Sequence, residues 1–439
     1  MSAPRRVLHV VSGYLPGDAG GTQLHLRDLC RAQGSFGWEP VIFTRQDGEG
    51  PEFEIQRDEF EGVPVHRLRN NFLDVDRFSL LFEHPGIDAK FVEVLEECRP
   101  DLVHVHHLTC LSCSILREVK ERGLPLVMTL HDYWLQCPRG QRIRPEDLEI
   151  CTRIERKRCL PCLRRLWPHL LPGGDPQGGL LGRIRAWFHG PGEAEENYAW
   201  REAFVKRMLD LCDATIAPSR FHRDRFLEWG LDGARCRFIE HGLPREGLEA
   251  PPHDCDEVRH IGFLGSVIPS KGVHVLVEAC KRLEREGIVL DIHGELLDYH
   301  GDRGYGDRLR ELAGDDIELR LHGGYRSGEL PGILKGLDLL VVPSIWWETF
   351  CLTAREGALA GLPVVAGRLG GVGEAVEQGL ALGFEAGNAG DLARVLERLC
   401  GDRELRREMA GKGGLVRSIE ECAAETCALY EELRARAGG

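Results

Sequence analysis

The sequence predicts an α/β fold made of two doubly wound, Rossmann-like domains, with a cysteine-rich insertion in the first. Short apolar runs alternate with amphipathic segments twice along the chain, first from "RVLHVVS" near the amino terminus and again from "HIGFLGSVI" at residue 260. Continuous apolar runs separated by helices indicate buried parallel strands. The length of 439 residues suits two domains of about 200 residues each.

Composition restricts the class of protein. Hydrophobic residues make up 42% of the chain and charged residues 29%, which is typical of a soluble globular protein. The formal net charge of −14 argues against nucleic-acid binding, because that function needs a basic surface. No apolar run, including the one at the amino terminus, approaches the roughly 20 residues of a membrane span. We therefore expect a cytoplasmic protein whose 16 cysteines are mostly reduced and buried.

A charged, proline-containing stretch, "EHGLPREGLEAPPHDCDE", has the composition of a linker and marks the predicted domain boundary. The first domain then covers residues 1–240. It contains an insertion at about 138–200, where the βα alternation stops and Arg, Pro, Gly and Cys accumulate. The second domain covers residues 241–417, and a terminal helix covers 418–439.

Two glycine-containing loops follow predicted strands at the edge where open parallel sheets bind ligands. The first, "GDAGGT", includes Gly20 and Gly21, which would let backbone N–H groups approach a phosphate at a helix N-terminus. The second, "LGSVIPSKG", carries Lys271 just before a helix, where its charge can reach a phosphate held by the loop. Glycine loops before helices are common, so each is weak evidence by itself.

A third loop, "PSIWWETFCLTAREGALAGLPVVAG", carries Glu348 and Glu356 on either side of a predicted helix start. A carboxylate in the loop can reach over a pocket, whereas one in the helix can accept two hydrogen bonds from a vicinal diol. Ribose presents such a diol, and Rossmann-like domains bind it with acidic residues. The spacing alone proves little, since two glutamates this far apart are common.

Seven motifs, in this order, resemble those of the family 4 glycosyltransferases, which have the GT-B fold. They are "GGTQ", "PDLVHVHH", "TLHDYW", "CDATIAPS", "GFLGSVIPSKG", "LLVVPS" and the segment from "ETFCLTARE" through "GLPVVAG" to "GGVGE". The resemblance spans nearly the whole chain, and Glu348 and Glu356 match the family's E-x7-E signature. It implies two domains facing across a cleft, a terminal helix that returns to the first domain, and transfer of a sugar from a nucleotide diphosphate sugar to a hydroxyl acceptor with retention at the anomeric carbon.

The same resemblance implies a role for each site residue. Glu348 would contact the donor sugar or stabilise charge at the reacting centre, Glu356 would bind the ribose hydroxyls, and Lys271 would bind the diphosphate. In the first domain His131 would face the donor sugar, and Gly20 and Gly21 would lie near the diphosphate. The remaining donor contacts would come from Ser266, from Thr349, Phe350, Cys351 and Leu352 at the helix start, and from Gly323, Gly324 and Tyr325 at the base.

The resemblance also implies the cofactors and partners. The donor would be a UDP- or GDP-sugar, and the acceptor a glycan, a lipid-linked glycan or a small molecule. The family usually needs no catalytic metal, because positive charges and helix ends stabilise the departing diphosphate. Two other functions stay open at this point, a sugar-nucleotide 2-epimerase and a catalytically silent protein on the same fold.

The chain departs from the family pattern at two positions. Ser266 stands where Arg or Lys is common, so stabilisation of the leaving group would depend on Lys271 or on another cation such as Arg355 or Arg368. Cys351 stands where many members have Gly or Pro, and we interpret it as a packed thiol rather than a reactive one.

Four cysteines of the insertion, Cys137, Cys151, Cys159 and Cys162, predict a structural zinc site. The last two have the C-x2-C spacing of a zinc knuckle, and a loop-rich insertion would gain stability from a closed tetrahedral thiolate site. The following residues, 164–190, mix arginines with Trp, Leu and Phe. That composition predicts either peripheral contact with an anionic membrane surface or a flap over the acceptor site.

Overall fold

Two largely parallel sheets organise the structure, a computed structural model that describes residues 5–18, 20–171 and 191–437. The chain forms two compact units. The first unit comprises Met1–Gln141, Thr152–Glu240 and Glu420–Gly439, and the second comprises Arg142–Cys151 and His241–Ile419. Each unit has the alternating strands and helices that the sequence predicts, so the predicted fold class of two doubly wound Rossmann-like domains is confirmed.

The first unit contains an eight-stranded sheet in the order β3-β4-β2-β1-β5-β6-β7-β8, parallel throughout except for β3. Its strands are β1 Arg5–Val11, β2 Trp38–Gln46, β3 Ile55–Phe60, β4 Val63–Arg69, β5 Leu102–Val105, β6 Leu126–Thr129, β7 Ala214–Ala217 and β8 Cys236–Phe238. Strands β1, β5 and β6 are almost fully buried because helices cover both faces, which explains their continuous apolar sequences. The direction of winding reverses between β1 and β5.

The helices of the first unit flank this sheet. They are α1 Gly21–Gln33, α2 Pro85–Cys98, α3 Ile115–Glu121, α4 Arg156–Leu166, α5 Pro191–Leu209 and α6 Arg220–Glu228. Helix α1 begins directly after the loop that follows β1 and buries Leu26, Leu29 and Cys30. The carboxyl end of β1 and the N-terminus of α1 are thereby fixed next to each other.

The second unit contains a six-stranded parallel sheet in the order β11-β10-β9-β12-β13-β14. Its strands are β9 His260–Leu264, β10 Val289–His293, β11 Glu318–Gly323, β12 Leu339–Val342, β13 Val364–Gly367 and β14 Leu382–Phe384. Its helices are α7 Val273–Cys280, α8 Tyr305–Ala313, α9 Leu330–Lys335, α10 Leu352–Leu359, α11 Gly370–Glu377, α12 Ala389–Gly401 and α13 Arg403–Ala410, and α14 Ile419–Ala437 ends the chain. Winding reverses between β9 and β12, the kind of place where open α/β sheets bind ligands.

Part of the predicted insertion lies with the second unit rather than the first. Residues Arg142–Cys151 form a short hairpin, closed by an antiparallel bridge between Ile143 and Ile150. The buried guanidinium of Arg142 donates to the Cys151 carbonyl at 3.1 Å and lies 4.9 Å from the ring centroid of Trp347. The hairpin is therefore anchored beside the loop that carries Glu348.

A bilayer-spanning helix is not found in the described ranges, where every helix is too short or too polar to cross a membrane.

Candidate active site

The switch point of the second unit, where winding reverses between β9 and β12, brings two loops together. One loop follows β9 and ends in a 3₁₀ turn, Pro269–Lys271, and the other follows β12 and carries Glu348. The Ile345 amide donates to the Ser270 carbonyl at 3.0 Å and ties the two loops. Gly272 has a φ of 72°, and a Cβ there would lie 2.0 Å from the Pro343 carbonyl oxygen, so only glycine permits this approach.

Glu348 is a buried carboxylate with three donors on one oxygen. Its Oε1 accepts from Lys271 Nζ at 2.7 Å, from Ser344 Oγ at 2.7 Å and from Trp346 Nε1 at 2.9 Å. The residue is 5% exposed. Three hydrogen bonds, one of them from a charged ammonium, fix the side-chain rotamer. The carboxylate is thus held in one place before any ligand arrives.

Lys271 keeps its positive charge in this setting. Burial acts to lower the pKa of the ammonium, but the adjacent Glu348 carboxylate more than offsets this, and the pKa lies above its ordinary value. Its Nζ also lies 5.3 Å from the ring centroid of Trp346, within cation–π range. The site therefore contains a fixed ion pair rather than an isolated lysine.

The segment that carries Gly370 and Gly371 contacts the backbone of Glu348. The Gly371 amide donates to the Glu348 carbonyl at 2.5 Å. Gly370 has a φ of 65°, and a Cβ on it would lie 2.7 Å from the Glu348 carbonyl oxygen and 2.8 Å from its nitrogen. Gly370 is thus required by a close backbone approach to the glutamate.

Helix α10 begins beside Glu348, after a residue in the left-handed region. Cys351 has a φ of 67°, and burial, followed by the charge of Glu348, raises the pKa of its thiol to about 12. The Phe350 side chain is buried, so only its backbone can reach a ligand. Thr349 and Leu352 flank these two residues at the helix start. The packed-thiol interpretation of Cys351 agrees with this setting.

Glu356 lies in α10, where its negative charge is near the loop that carries Gly324 and Tyr325. Burial, with a smaller contribution from Glu356, raises the pKa of the Tyr325 hydroxyl. Gly324 precedes Tyr325, and a Cβ on Gly324 would meet the Glu295 side chain at 2.7 Å. Glu356, Gly324 and Tyr325 therefore lie in one region, next to strand ends of the same sheet.

The predicted alternative cations are engaged elsewhere. Arg355 Nη1 donates to the Phe350 carbonyl at 2.7 Å, and its guanidinium lies 3.6 Å from the Phe350 ring centroid. Arg368 packs against Gly383 on β14, with Nε 2.7 Å from where a Cβ on Gly383 would be. Ser266 is partly exposed in the loop after β9. Lys271 is thus the cation that contacts Glu348.

The first unit places Gly20, Gly21 and His131 around the start of α1. Gly20 is the N-cap residue of α1, and Gly21 is its first residue. His131 follows β6, and its ring centroid is 5.8 Å from that of His25, which lies on α1. Burial, followed by the neighbouring histidines, holds the pKa of His131 well below its usual range, so the imidazole is neutral.

The four cysteines do not form the predicted knuckle. Cys159 and Cys162 lie on helix α4, and Cys151 belongs to the hairpin of the second unit. In the described residues, four groups of three potential ligands lie within 4.8 Å of one another, and none contains any of Cys137, Cys151, Cys159 or Cys162. Burial raises the pKa of the Cys159 thiol, with smaller contributions from Cys137 and Cys162, so these three cysteines are neighbours. The described residues do not bring all four together as one set of ligands, and the zinc prediction is therefore not supported.

The predicted membrane segment is only partly described. Residues 172–190 lie outside the described residues. Of the rest, Trp167 packs edge-on against the rings of Phe78 and Phe82, with centroids 5.6 and 6.1 Å away. This tryptophan therefore contributes to the first unit's own packing.

Several site residues were not predicted from the sequence. Ser344 and Trp346 flank Glu348 in the same loop, and their polar groups converge on the glutamate. The signal was available, because a Ser and two Trp directly after a buried strand lie at the ligand edge. Three further residues, Gln33, His9 and His106, hydrogen bond in series to His131. Gln33 and His9 lie inside a helix and a strand and gave no local signal, whereas His106 directly follows β5 within the motif "PDLVHVHH".

Two protein-family models match this chain. Residues 20–242 match the family model described as a glycosyl transferase 4-like domain, and residues 253–414 match the model of glycosyl transferases group 1. The chain is 36% identical over 403 residues to a glycogen synthase of Mycobacterium tuberculosis, covering 85% of this chain and 80% of that protein. It is 33% identical over 435 residues to a D-inositol 3-phosphate glycosyltransferase of Salinispora arenicola, covering 93% and 86%. Among solved structures, Anabaena HepE in complex with UDP and glucose is similar, with a TM-score of 0.64, 17% identity, and coverage of 98% of this chain and 100% of that one.

Proposed function

The chain belongs to the group 1 glycosyltransferases of family 4, with the GT-B fold and a nucleotide-sugar donor, and we propose that it transfers the sugar of a UDP-sugar to a hydroxyl acceptor with retention and without a catalytic metal. The observation that carries the proposal is the buried Glu348 carboxylate at the switch point of the second unit. One of its oxygens accepts hydrogen bonds from Lys271, Ser344 and Trp346. UDP is the favoured nucleotide because a structural neighbour was solved with UDP and glucose. Membership of this family favours a sugar transferase over the two alternatives, a sugar-nucleotide 2-epimerase and a catalytically silent protein.

Glu348 contributes an oriented negative charge. Because its Oε1 is occupied by three donors, we assign Oε2 to the donor sugar, where it accepts a hydroxyl hydrogen bond and stabilises positive charge that develops at the anomeric carbon. A carboxylate held before the reaction costs no reorganisation during it. Its contribution should therefore appear mainly in turnover.

Lys271 contributes the positive charge for the leaving group. It lies at the end of the loop after β9, just before helix α7, whose N-terminal amides add favourable potential. As the bond to the sugar breaks, negative charge accumulates on the diphosphate. The Lys271 ammonium can then shift from Glu348 towards that charge. This ion pair supplies the stabilisation that a divalent metal would otherwise give.

Glu356 and the loop that carries Gly324 and Tyr325 bind the nucleoside. The Glu356 carboxylate accepts from the two ribose hydroxyls, and Gly324 and Tyr325 contact the base through main-chain groups. Ser266 and the amides of Thr349, Phe350, Cys351 and Leu352 contact the phosphates or the sugar hydroxyls. In the first unit, Gly20 and Gly21 face the diphosphate, and His131 accepts a hydrogen bond from a sugar hydroxyl.

The test is a donor panel with product analysis. Purified protein is incubated with UDP-, GDP-, ADP- and dTDP-sugars after treatment with EDTA, binding is measured by thermal shift, and the product is analysed by proton NMR. We expect one uridine series to stabilise the protein, by roughly 2–3 kcal/mol at about 100 times Kd. We also expect the α-donor to give an α-linked product without added metal. An epimerised donor, an inverted product or a strict metal requirement would contradict the proposal.

A further inference from the structure

A continuous series of hydrogen bonds joins His131 to the interior of the first unit. His131 Nε2 lies 3.0 Å from His106 Nδ1, His106 Nε2 lies 3.0 Å from His9 Nδ1, and His9 Nε2 lies 2.9 Å from Gln33 Oε1. The side chains of His9, His106 and Gln33 are at most 1% exposed. We call these four residues the histidine chain.

The far end of the histidine chain is fixed by the terminal helix α14. Gln33 Nε2 donates to the Tyr430 hydroxyl at 3.1 Å, and that hydroxyl lies 2.5 Å from His104 Nδ1. An amide nitrogen cannot accept, so the Tyr430 hydroxyl oxygen accepts from Gln33. The same amide therefore presents its oxygen, a pure acceptor, to His9.

This arrangement sets the direction of every bond in the chain. A neutral imidazole has one N–H and one lone pair, so the bond made by one nitrogen determines the role of the other. His9 donates from Nε2 to Gln33 and accepts at Nδ1. His106 then donates from Nε2 and accepts at Nδ1, and His131 must donate from Nε2.

The electrostatic setting agrees with neutral rings throughout. Burial lowers the pKa of His9 to about 4, although its hydrogen bond to Gln33 acts in the opposite direction. Burial and neighbouring histidines also hold the pKa values of His106 and His131 well below the usual range. A second proton would have to enter a buried, histidine-rich interior, so each ring is neutral near neutral pH.

We propose that Gln33, His9 and His106 are positioning residues that hold His131 as its Nε2–H tautomer, so that Nδ1 carries the lone pair that accepts a hydroxyl of the donor sugar. The proposal rests on the proposed role of His131. It also assigns a function to α14, since Tyr430 orients the Gln33 amide from which the series begins. The other tautomer would present an N–H at Nδ1 and could not accept from that hydroxyl.

The experiment compares variants that break the chain with variants that keep its polarity. His106→Leu removes the central link, whereas His106→Gln can still accept from His131 with its oxygen and donate to His9 with its nitrogen. Gln33→Met removes the terminal acceptor, three hydrogen bonds away from His131. Thr129→Val is the matched control, because it removes an equally buried polar contact, to His104 Nε2 at 2.7 Å, outside the histidine chain.

The first readout is the tautomer itself. In ¹⁵N-histidine-labelled protein without ligand, assigned with His131→Asn, long-range proton–nitrogen correlations show which ring nitrogen carries the proton. We expect Nε2–H for His131 in the wild type, in His106→Gln and in Thr129→Val, and mixed tautomers in His106→Leu and Gln33→Met. An Nδ1–H tautomer in the wild type would overturn the proposal.

The second readout is kinetic. We expect kcat/KM for the donor to fall about 10- to 100-fold in His106→Leu and Gln33→Met, the cost of one lost or opposed hydrogen bond, and about 3-fold or less in His106→Gln and Thr129→Val. Equal losses in His106→Gln and His106→Leu would overturn the proposal. Full activity of His131→Ala would instead reject the proposed role of His131, independently of the tautomer result. Gln33→Met keeps the test valid if His106→Leu does not fold.

Discussion

Lys271 and Glu348 form an ion pair at 2.7 Å in which the carboxylate is almost fully buried and the ammonium side chain is about one-quarter exposed. The two residues are 77 positions apart and meet because β9 and β12 are neighbours at the switch point. Each charge compensates the other before ligand arrives. We infer that the ammonium can transfer part of its interaction to a phosphate without leaving the glutamate unsupported, because Ser344 and Trp346 still donate to it.

The first prediction separates stability from activity at this pair. Lys271→Met and Glu348→Gln each leave one charge without its partner, and each should lower the free energy of unfolding by about 2–4 kcal/mol. The free energy of unfolding lost in the double variant should be smaller than the sum of the two single losses, by about 1–3 kcal/mol. All three variants should lose turnover by about 100-fold or more. Urea unfolding and single-turnover assays measure the two effects. Additive unfolding energies would show that the pair is not coupled.

The second prediction concerns the glycine behind Glu348. Gly370→Ala introduces a Cβ within 2.9 Å of backbone atoms of Trp347 and Glu348, at a φ of 65°. It should destabilise the protein by about 2–4 kcal/mol and reduce turnover about 100-fold, because Glu348 must move. Gly379→Ala is the matched control, since its φ is 77° but a Cβ there meets open space. It should cost only about 1–2 kcal/mol and leave turnover unchanged, as measured by urea unfolding and kcat. Equal loss of turnover in both variants would contradict the account.

The third prediction concerns Cys351. With a thiol pKa of about 12, it should be labelled slowly by thiol reagents in the folded protein at pH 8. Cys351→Gly should keep activity within about 3-fold, because glycine adopts the φ of 67° without strain. Cys351→Val should lose about 1–3 kcal/mol, since a β-branched residue is unfavourable there. Rapid loss of activity on labelling of Cys351 alone would contradict this interpretation.

The fourth prediction uses a buried carboxylate in the second sheet. Asp291 on β10 accepts from His260 Nδ1 at 2.8 Å and His322 Nε2 at 2.7 Å. Burial acts to raise the pKa of Asp291, but these two hydrogen bonds outweigh it and the pKa is lowered. A lowered pKa in the folded state adds stability above the unfolded value of about 4 and loses it as pH falls through the folded value.

Asp291→Asn should therefore be less stable than the wild type at pH 7, and the difference should shrink as the pH is lowered towards 3. Urea titrations at several pH values measure it, with the exposed Asp315→Asn as the control. A difference that stays constant with pH would show that Asp291 makes no linked contribution.

The sequence was sufficient to predict the fold of each unit, because buried parallel strands leave continuous apolar runs that helical segments separate. The positions of Lys271 and Glu348 in loops after strands, and of Glu356 in the helix that follows, could also be predicted, since loop position follows from strand order. The family resemblance then gave these positions chemical meaning.

Contacts between distant segments could not be predicted in the same way. The three hydrogen bonds to Glu348 Oε1 depend on the directions of the donor side chains. The histidine chain depends on the register between β1 and β5, which pairs His9 with His104. The cysteine prediction is not supported by the structure, for a related reason. The C-x2-C spacing is compatible with a helix as well as with a knuckle, and the structure has a helix.

The most direct test of the central claim, that Glu348 and Glu356 act on different parts of one donor, is to measure UDP-sugar affinity and turnover together for Glu348→Gln and Glu356→Gln. Isothermal titration gives Kd, a single-turnover assay gives the rate, and the exposed Glu377→Gln serves as control. We expect Glu356→Gln to weaken Kd about 10-fold or more, and Glu348→Gln to keep Kd within about 3-fold while slowing turnover about 100-fold or more. Unchanged affinity and unchanged rate in both variants would contradict the account.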